Sequence, residues 1–495
     1  MPAARIPLLI TAGLLAAPFA GAAPALAGPV TPAAAACAKV AGDFNGDGYA
    51  DLAAPASAHD DSAHDGLHVL YGSASGFGNA QFLSGGATFG AALVSAYLNN
   101  DCYDDLVVGE PGSKRVSVRY GSPTGLTTTG SAVFTAADVP SGDPVEHGLG
   151  FGAALAAGDF NADGKVDLAV GAKGTDDVTS GDDTPAVDDG GAVAIYPGTT
   201  TGPTGTGARW IYQNTTDVPG DAETQDGFGW SLAAGDFDGD GRSDLAVGSP
   251  RETISGVKAS GGVIVLRGGS SGLTGTNAQW WDQNVAGVPG TPELGDRFGE
   301  TLTAADLTAD GKSDLVIGTP REAIGTLADA GTVAVLKGSA TGLTGTGSLS
   351  FDEGTPAPGN LFGSTTAVTD LTRDGYADLA VGAPGESPGG VVLAGSVTVV
   401  HGAKGGPTAT GTTYLDQNST GVPGASEDYD AFGTSVRGLP NILVVGAPGE
   451  VTGSDDAVYS GAFTVLTGET AGVFWGPSQL TGATTGYSGL GSSLG

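Results

Sequence analysis

The segment from Phe228 to Gly268, FGWSLAAGDFDGDGRSDLAVGSPRETISGVKASGGVIVLRG, decides the fold of this chain. It begins with an alternating run, SLAAGD, that is typical of a strand with one buried face. A polar loop from Asp236 to Asp244 follows, and the apolar runs LAVG and VIVL predict two further strands. The unit is therefore strand, loop, strand, loop, strand.

The loop from Asp236 to Asp244 has the pattern of a site for a hard cation. Side chains that carry oxygen stand at positions 1, 3, 5 and 9, and Gly241 at position 6 permits the turn. The backbone carbonyl of Arg242 at position 7 can add another oxygen. Such a site closes around its ion, so the pattern indicates a structural role rather than a catalytic one.

The unit recurs along the chain. Phe-Gly stands at Phe89, Phe151, Phe228, Phe298, Phe362 and Phe432, and Leu490-Gly491 gives a seventh copy at intervals of 58 to 77 residues. The motif D-L-x-V/A-G-x-P accompanies most copies. A long period with several strands per unit is typical of propeller blades. The sequence predicts an all-β, seven-bladed propeller over residues 38–495, with four antiparallel strands per blade.

Five copies of the loop keep their oxygen-bearing positions, and each predicts a cation site. The candidate ligands are Asp43, Asn45, Asp47, Tyr49, Asp51, Asp159, Asn161, Asp163, Lys165, Asp167, Asp236, Asp238, Asp240, Arg242, Asp244, Asp306, Thr308, Asp310, Lys312, Asp314, Asp370, Thr372, Asp374, Tyr376 and Asp378. Blades one, three and four should bind most tightly, because the hydroxyls of Thr308 and Thr372 at position 3 are poorer donors in blades five and six. Blade two has Tyr97 and Cys102 at positions 1 and 6, and blade seven has no loop.

The two ends of the chain are complementary. Blade one has no Phe-Gly segment before its loop, and the segment Tyr487–Gly495 resembles the missing piece. We expect this C-terminal strand to complete blade one, because a strand exchanged between the termini closes the ring and removes a free sheet edge. A frayed C-terminal tail is the alternative.

Composition limits the possible partners. The chain has 54 Asp and Glu against 19 Lys and Arg, a formal net charge of −35, which argues against nucleic acid as a partner. Residues 1–27 have an apolar core and an A-x-A site, which predicts a secretory signal peptide, with a membrane anchor as the alternative. A linker at residues 28–37 follows. We expect a secreted, extracellular monomer without a membrane span.

Cys37 and Cys102 are the two cysteines of the chain, and in an exported protein two cysteines usually pair. If Cys37 lies near the start of an inner strand, the two are roughly 20 Å apart, too far for a disulfide. If the C-terminal tail supplies part of that strand, residues 37–42 can approach the loop of blade two. We expect the disulfide on this second arrangement.

The repeated Phe-Gly, the D-x-D/N-x-D-G-x-x-D loop, the following V-G-x-P and the later G-x-V-x-V-x-x-G resemble FG-GAP repeats over about residues 40–495. These repeats build the seven-bladed propeller at the head of integrin alpha subunits and of many secreted bacterial relatives. The resemblance implies that the loops bind calcium at about five sites. Integrin adhesion itself is not carried over.

Two further groups of residues could act on a ligand. The strings WIYQN from Trp210, WWDQN from Trp280 and YLDQN from Tyr414 are each followed by V-P-G, a Glu and an Asp. Their aromatic rings could stack on a sugar, or could cover the outer edge of a blade, and repetition favours packing. His59, His64 and His68 lie near acidic residues and could hold zinc or transfer protons, but solvated loop residues explain them better.

The long connections opposite the metal loops, at Ser57–Asp65, Thr175–Asp189 and Arg251–Ser260, are where a rigid ring usually carries its binding site. We therefore expect a calcium-binding module for an extracellular protein or carbohydrate. The alternative is an extracellular hydrolase or lyase that uses acidic residues of these connections. A scaffold without a small ligand is a third possibility.

Overall fold

The computed structural model describes residues 39–58, 65–86, 88–128, 131–140, 150–174, 190–451, 461–468, 472–476, 487–488, 490 and 494. The predicted signal peptide, the linker, Cys37, His59 and His64 lie outside these ranges. In the compact unit Ala38–Gly495, the described residues form seven sheets of four antiparallel strands. The predicted seven-bladed, all-β propeller is confirmed.

From blade two to blade seven, the first strands of successive blades lie against one another. The first strands are β28 (Tyr487–Ser488) in blade one, followed by β4 (Ala92–Ala96), β8 (Phe151–Gly158), β12 (Ser231–Gly235), β16 (Thr301–Ala305), β20 (Thr365–Thr369) and β24 (Ser435–Leu439). The second strands are β1 (Leu52–Ala58), β5 (Asp105–Glu110), β9 (Asp167–Ala172), β13 (Asp244–Ser249), β17 (Asp314–Thr319), β21 (Asp378–Ala383) and β25 (Ile442–Ala447).

The third and fourth strands complete each blade. The third strands are β2 (Gly66–Tyr71), β6 (Arg115–Arg119), β10 (Ala192–Tyr196), β14 (Gly262–Arg267), β18 (Thr332–Ser339), β22 (Ser396–Val400) and β26 (Ala462–Leu466). The fourth strands are β3 (Gly78–Ser84), β7 (Ala132–Thr135), β11 (Arg209–Ile211), β15 (Thr274–Trp281), β19 (Gly342–Phe351), β23 (Thr413–Leu415) and β27 (Gly472–Trp475). Short 3-10 turns occur at Pro111–Ser113, Ala136–Asp138 and Pro388–Gly390, and the described part of the chain contains no α-helix. No helix there is long and apolar enough to cross a membrane.

Each Phe-Gly pair fixes one blade to the blade before it. Phe228 is fully buried, and its amide donates to the carbonyl of Gly190 at 2.7 Å. Gly229 has φ +89°, and a Cβ there would stand 2.6 Å from the carbonyl oxygen of Ala192. Because that approach leaves no room for a side chain, glycine is required at this position. The hydrophobic core is accordingly divided into clusters shared by neighbouring blades.

The ring closes by the predicted exchange of terminal strands. β28 pairs antiparallel with β1, with Ser488 opposite Ser57. Leu490 is fully buried and bridges to Gly461, as Phe432 bridges to Gly395 in the preceding junction. An apolar side chain therefore takes the place of phenylalanine in the seventh copy.

Because successive strands are antiparallel, their connections alternate between two ends of the ring. The loop end carries the metal loops between first and second strands, together with the turns between third and fourth strands. The FG end carries the connections between second and third strands, and those that lead to the next Phe-Gly. In blade seven, Leu439 and Ile442 are paired directly opposite each other, which confirms that this blade has lost its metal loop.

Candidate functional site

The metal loop of blade four brings three carboxylates together. Oxygens of Asp236, Asp238 and Asp240 lie within 4.8 Å of one another. Backbone amides hold these carboxylates in place, with Gly241 N donating to Asp236 Oδ2 at 2.9 Å and Arg242 N to Asp240 Oδ1 at 2.9 Å. Three preoriented carboxylates form an all-oxygen donor set, and this set fits a hard divalent cation.

Position 9 of the loop also has contacts outside the loop. Asp244 is buried and is not one of the three converging carboxylates. Its Oδ1 accepts the amide of Gly268 at 2.9 Å. In blade one, Asp51 likewise accepts the amides of Phe44 at 2.8 Å and Gly72 at 2.7 Å. Position 9 therefore ties the loop to the end of the third strand.

Burial sets the protonation behaviour of these position 9 carboxyls. Desolvation raises the pKa of Asp51 to about 7, although the amides of Gly72 and Phe44 act to lower it. It raises the pKa of Asp105 to about 7 and that of Asp244 to about 6. A cation nearby would favour the charged forms and bring these pKa values down.

The loops differ in how completely their ligands are held. Blades one and three repeat the bonds of blade four, with the amide of position 5 donating to the amide oxygen of Asn45 at 2.9 Å and Asn161 at 2.8 Å. In blades five and six, position 1 is held in the same way, and Thr308 and Thr372 occupy position 3. In blade two, Tyr97 at position 1 donates its hydroxyl to the carbonyl of Val40 at 2.7 Å.

Blade four has a guanidinium group inside its loop. Arg267 donates Nη1 to Asp244 Oδ2 at 2.9 Å, and its Nη2 contacts Asp238 Oδ2. The strand register places Tyr71 of blade one and Pro197 of blade three at the equivalent position. An arginine at this point neutralises two loop carboxylates in blade four alone among these three blades.

The metal loops are also joints between blades. The carbonyl of Asp236 accepts the amide of Ser313, in the loop of blade five, at 2.9 Å. The carbonyl of Phe237 accepts the amide of Ser339 at 3.1 Å. The same pair of bonds joins blade three to blade four and blade one to blade two. A loop that keeps its shape therefore keeps two blades in register, a contact that the sequence pattern did not reveal.

A second kind of acidic cluster lies at the FG end, in the clefts between blades. Oxygens of Glu223, Asp226 and Glu252 lie within 4.8 Å of one another. Gln213 donates its Nε2 to Glu252 Oε2 at 2.7 Å. Two further clefts repeat these four residues, as Gln283, Glu293, Asp296 and Glu322, and as Gln417, Glu427, Asp430 and Glu450.

The acids of these clefts lose hydration on folding. Desolvation raises the pKa of Glu252 to about 8, and the neighbouring Asp226, Glu223 and Asp221 raise it further, against the hydrogen bond from Gln213. Desolvation likewise raises the pKa of Asp226 to about 7 and that of Glu322 to about 7. The sequence analysis noted the Gln-Asn strings with the Glu and Asp that follow them, but it did not connect them to the Glu after V-G-x-P.

The aromatic strings pack as the repetition predicts. Trp281 is buried, and Trp210 meets Phe151 edge-on with ring centroids 6.1 Å apart. Tyr414 is partly exposed and donates its hydroxyl to Glu386 at 2.9 Å. The interpretation of the histidines as solvated loop residues is wrong for His68, which is buried in β2 against Phe82.

An exposed apolar group stands at the FG end of the junction between blades six and seven. We call Val392, Leu393 and Tyr429 the 6/7 patch. Their exposed fractions are 43%, 39% and 53%. Backbone bonds hold them together, with the amide of Tyr429 donating to the carbonyl of Val392 at 2.8 Å.

The family model for the FG-GAP repeat matches residues 228–266, 298–336 and 362–400. These three segments run from the Phe-Gly of blades four, five and six through the metal loop into the third strand. Integrin alpha-PS2 of Drosophila melanogaster is 32% identical over 186 residues, covering 37% of this chain and 12% of the relative. Integrin alpha-5 of Xenopus laevis is 31% identical over 236 residues, covering 46% of this chain and 20% of the relative.

The chain is a β-propeller that carries FG-GAP repeats and is similar to integrin alpha subunits. The FG-GAP propeller is also 30% identical over 224 residues to phosphatidylinositol-glycan-specific phospholipase D of Rattus norvegicus, covering 44% of this chain and 26% of the relative. The matches thus span 12 to 26% of these relatives' own length.

Proposed function

We propose that this FG-GAP propeller is a secreted, calcium-binding module that binds an extracellular protein through the 6/7 patch at its FG end. Calcium in the five metal loops has a structural role, because these loops join neighbouring blades. Of the two ligand classes that the sequence predicts, an extracellular protein and a carbohydrate, the 6/7 patch favours a protein because its side chains are largely aliphatic.

The backbone of the 6/7 patch is the observation that carries this proposal. Leu393 and Tyr429 both have positive φ, +51° and +73°. Bulky side chains are rare in that conformation, and the cost is about 1 to 2 kcal/mol per residue. Both residues therefore destabilise the folded state in two ways: their backbone conformation is strained, and their apolar side chains are exposed to water. Such strain at an exposed site indicates function.

Equivalent positions in other junctions show that the fold does not require these side chains. The amides of Arg297 and Leu361 donate to Ala259 and Asp329, just as the amide of Ala431 donates to Leu393. Glycine takes the place of Tyr429 in both of those junctions, at Gly295 and Gly359. Small or polar residues therefore suffice where no patch exists.

Charge around the patch indicates which protein surface would fit it. Asp428 accepts the amide of Val392 at 2.8 Å and is exposed, as is Glu427. With a formal net charge of −35 for the chain, we expect a partner surface that is apolar at its centre and basic at its rim.

The test compares Tyr429→Gly with the wild type. Proteins from the extracellular medium are captured on each immobilised protein, identified, and their purified forms titrated by surface plasmon resonance. At least one partner should bind the wild type and lose tenfold or more of its affinity for Tyr429→Gly, while the variant melts at the same or a higher temperature because glycine suits this backbone.

Val473→Ser is the matched control. Val473 is 55% exposed on the outer strand β27, away from the patch, so its substitution should leave the partner's affinity unchanged. Equal affinities for wild type and Tyr429→Gly would contradict the proposal, as would binding confined to a glycan array.

A further inference from the structure

The acidic cleft between blades three and four has the composition of a second type of cation site. Asp226 and Glu252 are 2% and 6% exposed, and Glu223 at the mouth of the cleft is exposed. Their oxygens converge within 4.8 Å. Three carboxylates at this separation repel one another strongly where water is excluded, so an unneutralised cluster is costly.

An unpartnered buried oxygen gives independent evidence for a ligand in this cleft. Gln213 is 2% exposed and donates its Nε2 to Glu252, which places its amide group among the carboxylates. The Oε1 of the same amide is buried and accepts no hydrogen bond. A buried acceptor without a partner is unfavourable, and a bound cation or an ion's water would satisfy it.

The same unpartnered atom recurs in the other two clefts. Gln283 and Gln417 each donate to a glutamate of the next blade, and the Oε1 of each is buried without a partner. In the third cleft, Oδ1 of the fully buried Asp430 is unpartnered as well. Three repetitions of one unsatisfied arrangement point to a shared ligand rather than to an accident of one side chain.

Among the described residues, no ion pair joins Glu223, Asp226 or Glu252 to a lysine, arginine or histidine. The charged groups with the largest effect on the pKa of Glu252 are other carboxylates, Asp226, Glu223 and Asp221. The metal loop of blade four is different, because Arg267 lies between two of its carboxylates.

We propose that the cleft between blades three and four binds a hard divalent cation through Glu223, Asp226 and Glu252, with Gln213 Oε1 as a fourth oxygen. Calcium is the ion whose preferred ligands match this set of carboxylates and an amide oxygen. The exposed Glu223 gives the ion a path from solvent to the two buried acids. The clefts at Gln283 and Gln417 are copies of this site, with an affinity for the ion that is no higher.

The decisive experiment counts bound calcium by equilibrium dialysis and elemental analysis. The double variant Asp226→Asn/Glu252→Gln should bind one ion fewer than the wild type. Asp240→Asn, in the metal loop of blade four, should also lose one ion, and the combined variant should lose two. An unchanged ion count in Asp226→Asn/Glu252→Gln overturns the proposal.

Melting in chelator shows whether a lost ion merely reflects poor folding. The neutral side chains relieve the repulsion between buried acids, so the double variant should melt at or above the wild-type temperature in EGTA and gain less from added calcium.

Terbium luminescence gives a local readout of the ion in the cleft. The indole of Trp280 and the amide of Gln213 both border Gly220, at 3.4 Å and 3.0 Å from the position of a Cβ there. Tryptophan-sensitised terbium emission should therefore fall in the double variant and in Trp280→Phe, and emission that neither variant changes would also count against the site.

Discussion

Both ends of this propeller carry clusters of carboxylates, but those at the loop end are partly exposed to water and those at the FG end are mostly buried. At the loop end, Asp238 and Asp240 are partly exposed, and backbone amides of their own loop orient them. At the FG end, Asp226 and Glu252 are buried in a cleft between blades, where the amide side chain of Gln213 donates to Glu252 and the backbone amide of Glu223 donates to Asp226.

This difference shows that the repulsion between clustered carboxylates is relieved in different ways in a local loop and in a cleft between blades. The loop is complete within nine consecutive residues, so its repulsion is relieved by water and by its own amides. The cleft exists only when two blades meet. Water has little access to its buried carboxylates, Asp226 and Glu252, and therefore relieves their repulsion less. Removal of ions should therefore affect the two ends through different mechanisms, and the following experiments separate them.

Calcium removal should have the largest effect. A loop saturated at 100 times its Kd is stabilised by about 2.7 kcal/mol, so EGTA should lower the Tm markedly in scanning calorimetry. Asp240→Ala should lower the Tm in calcium more than Asp101→Ala, because blade two has Tyr97 instead of a carboxylate at position 1. Equal losses from the two variants would show that occupied loops do not explain the stability.

Buried acids of the FG end should contribute strongly to the pH dependence of stability in EGTA. Burial raises the pKa of Glu252 from 4.5 to about 8. Between these values the unfolded state has released its proton and the folded state keeps it, so the free energy of unfolding falls as pH rises. The stabilisation is complete below pH 4.5 and is lost through pH 8, at about 1.4 kcal/mol per unit of pKa difference.

Glu252→Gln should flatten this fall in urea denaturation series measured across the same pH range. Asp240→Asn, at the loop end, is the control that should leave the slope unchanged. A stability that rises with pH in EGTA would mean that the buried acids are charged and compensated in the folded protein.

Arg267→Gln should have the smallest effect. Removing the guanidinium from Asp238 and Asp244 should strengthen calcium binding to the loop of blade four. The expected gain is about 1 kcal/mol, because this is the free energy that one partly exposed ion pair contributes. Calorimetric titration with calcium measures the change. Lys337→Gln is the matched control in blade five, because Lys337 donates to the carbonyl of Gly405 at 3.0 Å and not to a loop carboxylate. Equal changes in both variants would assign the effect to net charge alone.

Much of the candidate site could be predicted from sequence because its determinants are local. The alternation of oxygen-bearing residues predicts the convergence of Asp236, Asp238 and Asp240, and the absence of a loop in blade seven is visible as a deletion. The role of Asp244 could not be predicted, because its partners lie on another strand end. The burial of His68 was missed for a related reason, since the acidic residues around it suggested a solvated loop.

The amino-acid sequence by itself determined the repeat, the number of blades, the strand exchange that closes the ring and the position of each acidic loop. These features follow from strand periodicity and from turns whose groups are neighbours in the chain. Only the tertiary structure decided that the loops join adjacent blades, that Arg267 enters one of them, and that Gln213 meets Glu252 across a cleft. Those contacts join residues of different blades, and their energies depend on burial, which exists only after the blades have packed.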